Sequence, residues 1–214
     1  MIRILTLFNK AQLVLEAIAS VEAQTRRDYI HFARPDTYRA RDGRYPPAVY
    51  YNEMARIAPM EDYISWLSDD DLLFPNYVAD LAGHLDAHPE IDCVYGGSKH
   101  VLHEPPQEDR LIRNLPQQWP FPLFNAELSP FCQIDGGQFM IRRSGLEKIP
   151  YPWYPEDAAS ASGCDAIFMR KISQYFPMYP IPVFVMTNRA TSASCHTVAV
   201  RGHLEKGVGW KPYG

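Results

Sequence analysis

The chain has 214 residues, with 21 Lys+Arg against 25 Asp+Glu, for a formal net charge of −4. That balance carries no basic footprint for nucleic acid, and 46% hydrophobic against 21% charged residues describes a chain that buries a core rather than a disordered or fibrous one. Its longest apolar runs, such as Pro182 to Met186, fall far short of the roughly 20 residues that cross a bilayer. Met1 to Thr6 is too short and polar for a signal peptide, so the expectation is a cytoplasmic protein with no integral membrane segment. Four cysteines lie far apart without C-x-x-C spacing, which suggests neither a zinc knuckle nor a disulfide framework.

Ile2 to Leu7 is a short β-compatible run, and Asn9 can cap a helix whose apolar residues Leu13, Val14, Ala17, Ile18 and Val21 recur at helical spacing. Tyr29 to Phe32 predicts a second strand, residues 33–45 a polar loop, and Pro46-Pro47 the opening of a helix through Ile57. Tyr63 to Leu67 predicts a third strand that runs directly into Ser68-Asp69-Asp70-Asp71. A helix opening at Pro75 follows, with Val78, Leu81, Ala82 and Leu85 as its apolar stripe. Cys93 to Tyr95 predicts a fourth strand, and the proline-rich stretch 103–130 an extended connection. Gln133 to Ile141 reads as a strand interrupted by Gly136-Gly137, then a short helix from Ser144 to Lys148. The last helix runs from Asp165 to Tyr175 with Ile167, Phe168, Ile172 and Tyr175 inward, before a final strand Val183 to Met186 and a polar tail from Thr187. Strands alternating with helices predict an α/β fold, with a mostly parallel sheet flanked by helices and a ligand site beyond the carboxyl ends of its strands.

Three consecutive carboxylates at the end of a buried strand repel one another unless a cation lies among them. Oxygen ligands of this kind suit Mg²⁺ or Mn²⁺, which take one or two protein carboxylates and complete their shell with water and phosphate oxygens. One of the three could instead cap the following helix, but capping does not use all three.

Several segments in order resemble family 2 glycosyltransferases of the GT-A fold. Ile4 to Lys10 resembles that family's opening strand and "P-T-Y-N-R" turn, Ser20 to Thr25 its "S-V-L-x-Q-T", and Tyr63 to Pro75 its "Y-I-x-F-L-D-x-D-D-x-x-x-P". Gly136 to Arg143 is similar to its strand before the acceptor site, and Gly163 to Ile172 to the segment that supplies its catalytic carboxylate. The resemblance implies transfer of a sugar from a nucleotide sugar, with a UDP-sugar favoured, to a hydroxyl of a glycan or lipid-linked acceptor. It also implies inversion and a divalent metal, Mn²⁺ or Mg²⁺, on Asp69 and Asp71. Residues 1–102 would form the nucleotide-sugar-binding part and 103–214 the acceptor-binding part of one compact domain, which could work peripherally at the inner face of a membrane.

Under that resemblance the donor would meet Thr6, Phe8, Asn9, Asn52, Asp69 and Asp70, and the acceptor Gly136, Gly137 and Arg142. Phe8 could instead be core, the two glycines a bulge or hairpin turn, and Arg142 a solvated charge. The general base would be Asp165 at a helix N-terminus, which is equally open to an N-cap reading, or Asp157 beside Glu156. His196 lies in a stretch similar in composition to the family's C-terminal motif. The family's "V-V-D-D-G-S" is missing, with only Asp36 to stand in, and Ser68 replaces the first aspartate of "D-x-D-D". Both departures keep open a second function, a non-catalytic member of the fold that binds a nucleotide, glycan or protein partner.

Overall fold

A computed structural model describes residues 1–8, 11–35, 46–57, 62–130, 133–154 and 161–190. In chain order the elements are β1 (Ile2–Phe8), α1 (Ala11–Glu22), β2 (Tyr29–Pro35), α2 (Pro46–Arg56), β3 (Tyr63–Ser68), β4 (Leu72–Leu73), α3 (Tyr77–Ala87), β5 (Cys93–Leu102) and β6 (Arg110–Leu115). A 3-10 turn (Gly136–Gln138), β7 (Phe139–Arg142), α4 (Arg143–Leu146), α5 (Ala161–Tyr175) and β8 (Met178–Ala190) follow. The strands form one sheet in the order β2-β1-β3-β7-β5-β8-β4, with β6 beside β5. Its three longest pairings, β1 with β2, β1 with β3 and β5 with β8, are parallel, and β7 is inserted antiparallel between β3 and β5.

Alternation along the strands sends side chains to two cores. Ile2, Ile4 and Leu67 meet Ala17 and Val21 of α1 and Val78, Leu81 and Leu85 of α3 on one face. Leu5, Ile64 and Trp66 meet Tyr50 and Met54 of α2 and Phe168, Met169 and Ile172 of α5 on the other. A strand buried on both faces is mostly apolar along its length, as β1 and β3 are apart from Arg3, Thr6 and Ser65, which is why parallel pairing suits them.

Gln24 joins the two halves of the α1–α3 layer. Fully buried after α1, its amide donates to the carbonyls of Ser20 at 3.0 Å and Phe74 at 2.8 Å, and its oxygen accepts from the Val78 N–H at 2.9 Å. With the Ser20 hydroxyl accepting from Leu73 N–H at 3.1 Å, it pins the chain that follows the aspartates. Gln24→Ala removes the partner of three backbone groups and is expected to cost about 1–3 kcal/mol. A thermal melt should show a midpoint lower by about 2–4 °C per kcal/mol, and an unchanged midpoint would refute this role for Gln24.

Several elements differ from the sequence reading, among them β4, which it lacked, and β5, which runs to Leu102 rather than Tyr95. The expected connection after residue 103 contains β6, which folds back antiparallel on Ser98 to Leu102; a single hairpin-edge strand needs no apolar alternation of its own. β8 begins five residues before Val183 despite Pro180 and Pro182, because these lie where its register with β5 shifts between Tyr95 and Gly97. The predicted strand across Gly136-Gly137 is a 3-10 turn with β7 only after it. α5 starts at Ala161, so its inward face is Ala166, Phe168, Met169 and Ile172, while Ile167 and Tyr175 are exposed. Among the described residues no helix is long and apolar enough to cross a membrane.

Candidate active site

Parallel pairing sets Ser68 beside Leu7, so the turn Asp69-Asp70-Asp71 leaves β3 at the edge where β1 also ends. All three aspartates are buried, Asp71 to 2% exposure. The turn closes with Asp71 N–H donating to the Ser68 carbonyl at 3.3 Å, and β4 then pairs with Met186 and Thr187 of β8. Two residues further along β8, Arg189 locks it. Its N–H donates to Asp71 Oδ1 at 3.1 Å, its Nε to the Asp70 carbonyl at 2.5 Å and its Nη1 to the Glu16 carboxylate on α1. Asn188 adds an Nδ2 contact to Asp71 Oδ2 at 3.4 Å. Arg189 is itself buried, and its Nη2 has no partner among the described residues. Burial, with the charges of Asp70 and Asp135 adding to it, pushes the Asp71 carboxyl well above the usual carboxylate range despite the Arg189 N–H and guanidinium.

The second half of the centre is built on the 3-10 turn. Asp135 precedes it, its N–H donating to Gln138 Oε1 at 2.7 Å. Gln138 is held in turn by its amide donating to the carbonyls of Gly96 at 2.9 Å and Leu115 at 3.0 Å. The Asp135 carboxylate meets Nε2 of buried His100 on β5 at 2.5 Å. Asp165 comes in from α5, its Oδ2 only 2.9 Å from where a Cβ on Gly136 would stand. Burial first, then the Asp135 charge, raises the Asp165 carboxyl from 3.8 to about 7. The Asp135 charge thus acts on both Asp71 and Asp165.

Several expected roles change. Asp165 is not an N-cap, because α5 begins a full turn before it. At Gly136 the Asp165 carboxylate fills the side-chain position and at Gly137 the Met186 sulfur lies 2.8 Å from it, so the protein's own groups occupy the room expected for an acceptor. Arg142 pairs with Tyr63 at the start of β3, the far end of the sheet from the aspartates, and caps α3 by donating to the Leu85 carbonyl at 2.7 Å. It therefore does not reach an acceptor beside Asp71. Asn52 is fully buried, and its amide exchanges hydrogen bonds with the Tyr154 backbone at 2.9 and 2.8 Å, which makes it a clamp between α2 and the segment ahead of α5. Thr6 is also fully buried, its hydroxyl 3.0 Å from His31 Nε2, while Phe8 at the end of β1 is half-buried. Burial holds His31 down at about 4, hence neutral at physiological pH. Asn9, Asp36, Glu156, Asp157 and His196 lie outside the described residues.

Sequence reasoning missed Asp135, His100 and Arg189. Asp135 adjoins the glycine pair and carried a signal of its own, a carboxylate three residues before Gln138 in the pattern of a capped turn. His100 and Arg189 lie in strands whose ends were placed too early.

No protein-family model matches the chain. Protein CgeD of Bacillus subtilis (strain 168) is 28% identical over 139 residues, 62% of this chain and 30% of that protein. Among solved structures, S. aureus TarS matches with a TM-score of 0.65 at 13% identity, covering 88% of this chain and 36% of TarS. TarS residues 1–349 in complex with UDP-GlcNAc match with a TM-score of 0.68 at 13% identity, covering 92% of this chain and 60% of that one. The same fragment with UDP gives 0.63 at 12% identity. The shared fold is a mixed α/β sheet flanked by helices. The chain spans about a third of the length of CgeD and of the longer TarS chain.

Proposed function

We propose that this chain is a glycosyltransferase that moves a sugar from a nucleoside-diphosphate sugar, a UDP-sugar, to an acceptor hydroxyl of a glycan or lipid-linked molecule, with inversion at the anomeric carbon. The observation that carries the reading is a crowded, buried aspartate turn where β1 and β3 end, with a separate carboxylate, Asp165, brought in against Gly136 beside Asp135. A fold shared with a structure that holds UDP-GlcNAc supports it.

In this reading the residues of the first 102 positions present the aspartate turn to the donor, and the later part of the chain supplies the acceptor side. Asp165 accepts the proton of the attacking hydroxyl, its affinity matched to that task because a base works best with a pKa near the working pH. Burial first, then the Asp135 charge, keeps that affinity raised, and Gly136 leaves room for the carboxylate. Arg189 fixes the aspartate turn through Asp70 and Asp71.

The donor set fits Mn²⁺ or Mg²⁺ in part. It is all oxygen, and the mutual repulsion of Asp70, Asp71 and Asp135 is what a cation relieves, whereas among the described residues no three His, Cys, Asp or Glu side chains converge on one point. Asp69 and Asp71 would hold the ion, with the nucleotide's phosphates completing its shell. A bound divalent cation supplies charge neutralisation for a departing nucleoside diphosphate.

A thermal-shift panel of UDP, GDP, dTDP and CDP, each with Mn²⁺, Mg²⁺ or EDTA, tests the reading. UDP with metal is expected to raise the midpoint, since ligand at about 100 times Kd stabilises by about 2.7 kcal/mol, or about 5–10 °C here. No shift with any nucleotide overturns the proposal. A shift without turnover of any sugar nucleotide identifies a non-catalytic binding protein instead.

A further inference from the structure

His100 and Asp135 face each other inside the centre, and the proposed reaction has so far given His100 no task. Asp135 is fixed from three directions. Its backbone N–H is held by Gln138, itself anchored on Gly96 and Leu115; its carboxylate meets His100 Nε2 at 2.5 Å; and its chain neighbour Gly136 lies against the Asp165 carboxylate. A residue with a Cβ at 136 would collide with Asp165. The glycine therefore lets a second carboxylate approach the backbone beside Asp135 with no side chain between them.

Placing two carboxylates this way raises the energy of ionising either one, and natural cores avoid it unless the arrangement serves a purpose. A histidine ring held on one carboxylate orients it, which fixes where its charge faces the other. Resting on the glycosyl-transfer reading, we infer that Asp135, oriented by His100, is a positioning residue that sets the proton affinity of Asp165 and so the acidic limit of transfer.

The charged surroundings agree with this assignment. Among the described residues Asp135 is the charged group that acts on Asp165, and its effect adds to that of burial. His100 reaches Asp135 from β5. Asp71, which also feels Asp135, is answered by Arg189 of β8 and opposed by Asp70. Within α5 the Lys171 ammonium is turned away, donating to the carbonyls of Pro150 at 2.6 Å and Pro152 at 2.8 Å.

The test is a ¹³C-carboxyl NMR titration of Asp165 in the whole chain, its resonance assigned by its loss in Asp165→Asn. Asp135→Asn is expected to lower the Asp165 midpoint by at least about half a pH unit, a threefold or larger fall in proton affinity. His100→Leu should lower it as well, because the half-buried Asp135 carboxylate then loses the ring that orients it and supports its charge. His100→Gln, which keeps a donor, should restore it. The acidic limb of kcat/KM should move with the midpoint, a change that a merely structural role does not produce. An Asp165 midpoint unmoved in folded Asp135→Asn, or moved equally by His100→Gln and His100→Leu, overturns the inference. If Asp135→Asn does not fold, the two His100 variants decide it. The titration needs no turnover, so a chain that transfers no sugar defeats the catalytic reading, while the midpoints still decide whether Asp135 acts on Asp165.

Discussion

Asp165→Asn is expected to lower transfer by about 10²–10⁴-fold, the range over which a positioned general base contributes. It should leave the metal-dependent response to UDP intact and make the protein more stable above neutral pH. The two effects share one cause. A carboxyl raised to about 7 stays protonated in the folded chain between about pH 4 and pH 7, where the unfolded chain has already released that proton. Stability from this group is therefore greatest at low pH and falls as pH rises through that window, and above about pH 7 the full cost of a buried charge beside Asp135 is present. Asparagine removes that cost, which is on the order of 1–4 kcal/mol, so the midpoint should rise by several degrees at pH 8 and by little at pH 4. Wild-type transfer should correspondingly fall as pH drops below about 7, because a protonated Asp165 accepts nothing. Equal melting of wild type and variant at pH 8, or undiminished transfer, would remove Asp165 from the role of base.

How legible the centre was depends on where the causes lie. The aspartate turn could be read because strand, turn and helix are local, and the apolar run Tyr63 to Leu67 ends where the charges begin. Asp165 could be named but misplaced, since nothing local marks a helix start at Ala161. Its altered affinity comes from burial first and then from Asp135, 30 residues earlier in the chain. Asn52 and Arg142 matched expected site residues by type and failed by position: one is needed by the Tyr154 backbone, the other by the last carbonyls of α3. Arg189 could not be weighed at all until β8 was known to run to Ala190, for only then does a guanidinium from the chain's last described strand stand beneath Asp70. Pairings between distant segments carry the information that local pattern lacks, and the chemistry of this centre is made almost wholly of such pairings.

Asp71→Asn should abolish the metal-dependent part of the thermal response to UDP and lower transfer by about 10²–10³-fold, the usual loss when one group that stabilises developing charge is removed. Asparagine is nearly isosteric, and its side-chain oxygen can still accept the Arg189 N–H, so the turn itself should persist. Without ligand the variant should be no less stable than wild type at neutral pH, because the replaced carboxyl is one whose ionised form burial, Asp70 and Asp135 all oppose. Loss of binding together with unchanged or improved apo stability separates a ligand role from simple misfolding. Arg189→Met gives the contrasting result: it leaves the Asp70 carbonyl without its donor, Glu16 without its ion pair and Asp71 without the nearby guanidinium charge, and stranding that buried carbonyl costs about 1–3 kcal/mol. If Asp71→Asn instead melts early and Arg189→Met does not, the aspartate turn is a structural bracket for β8, and the cation and diphosphate must be sought elsewhere.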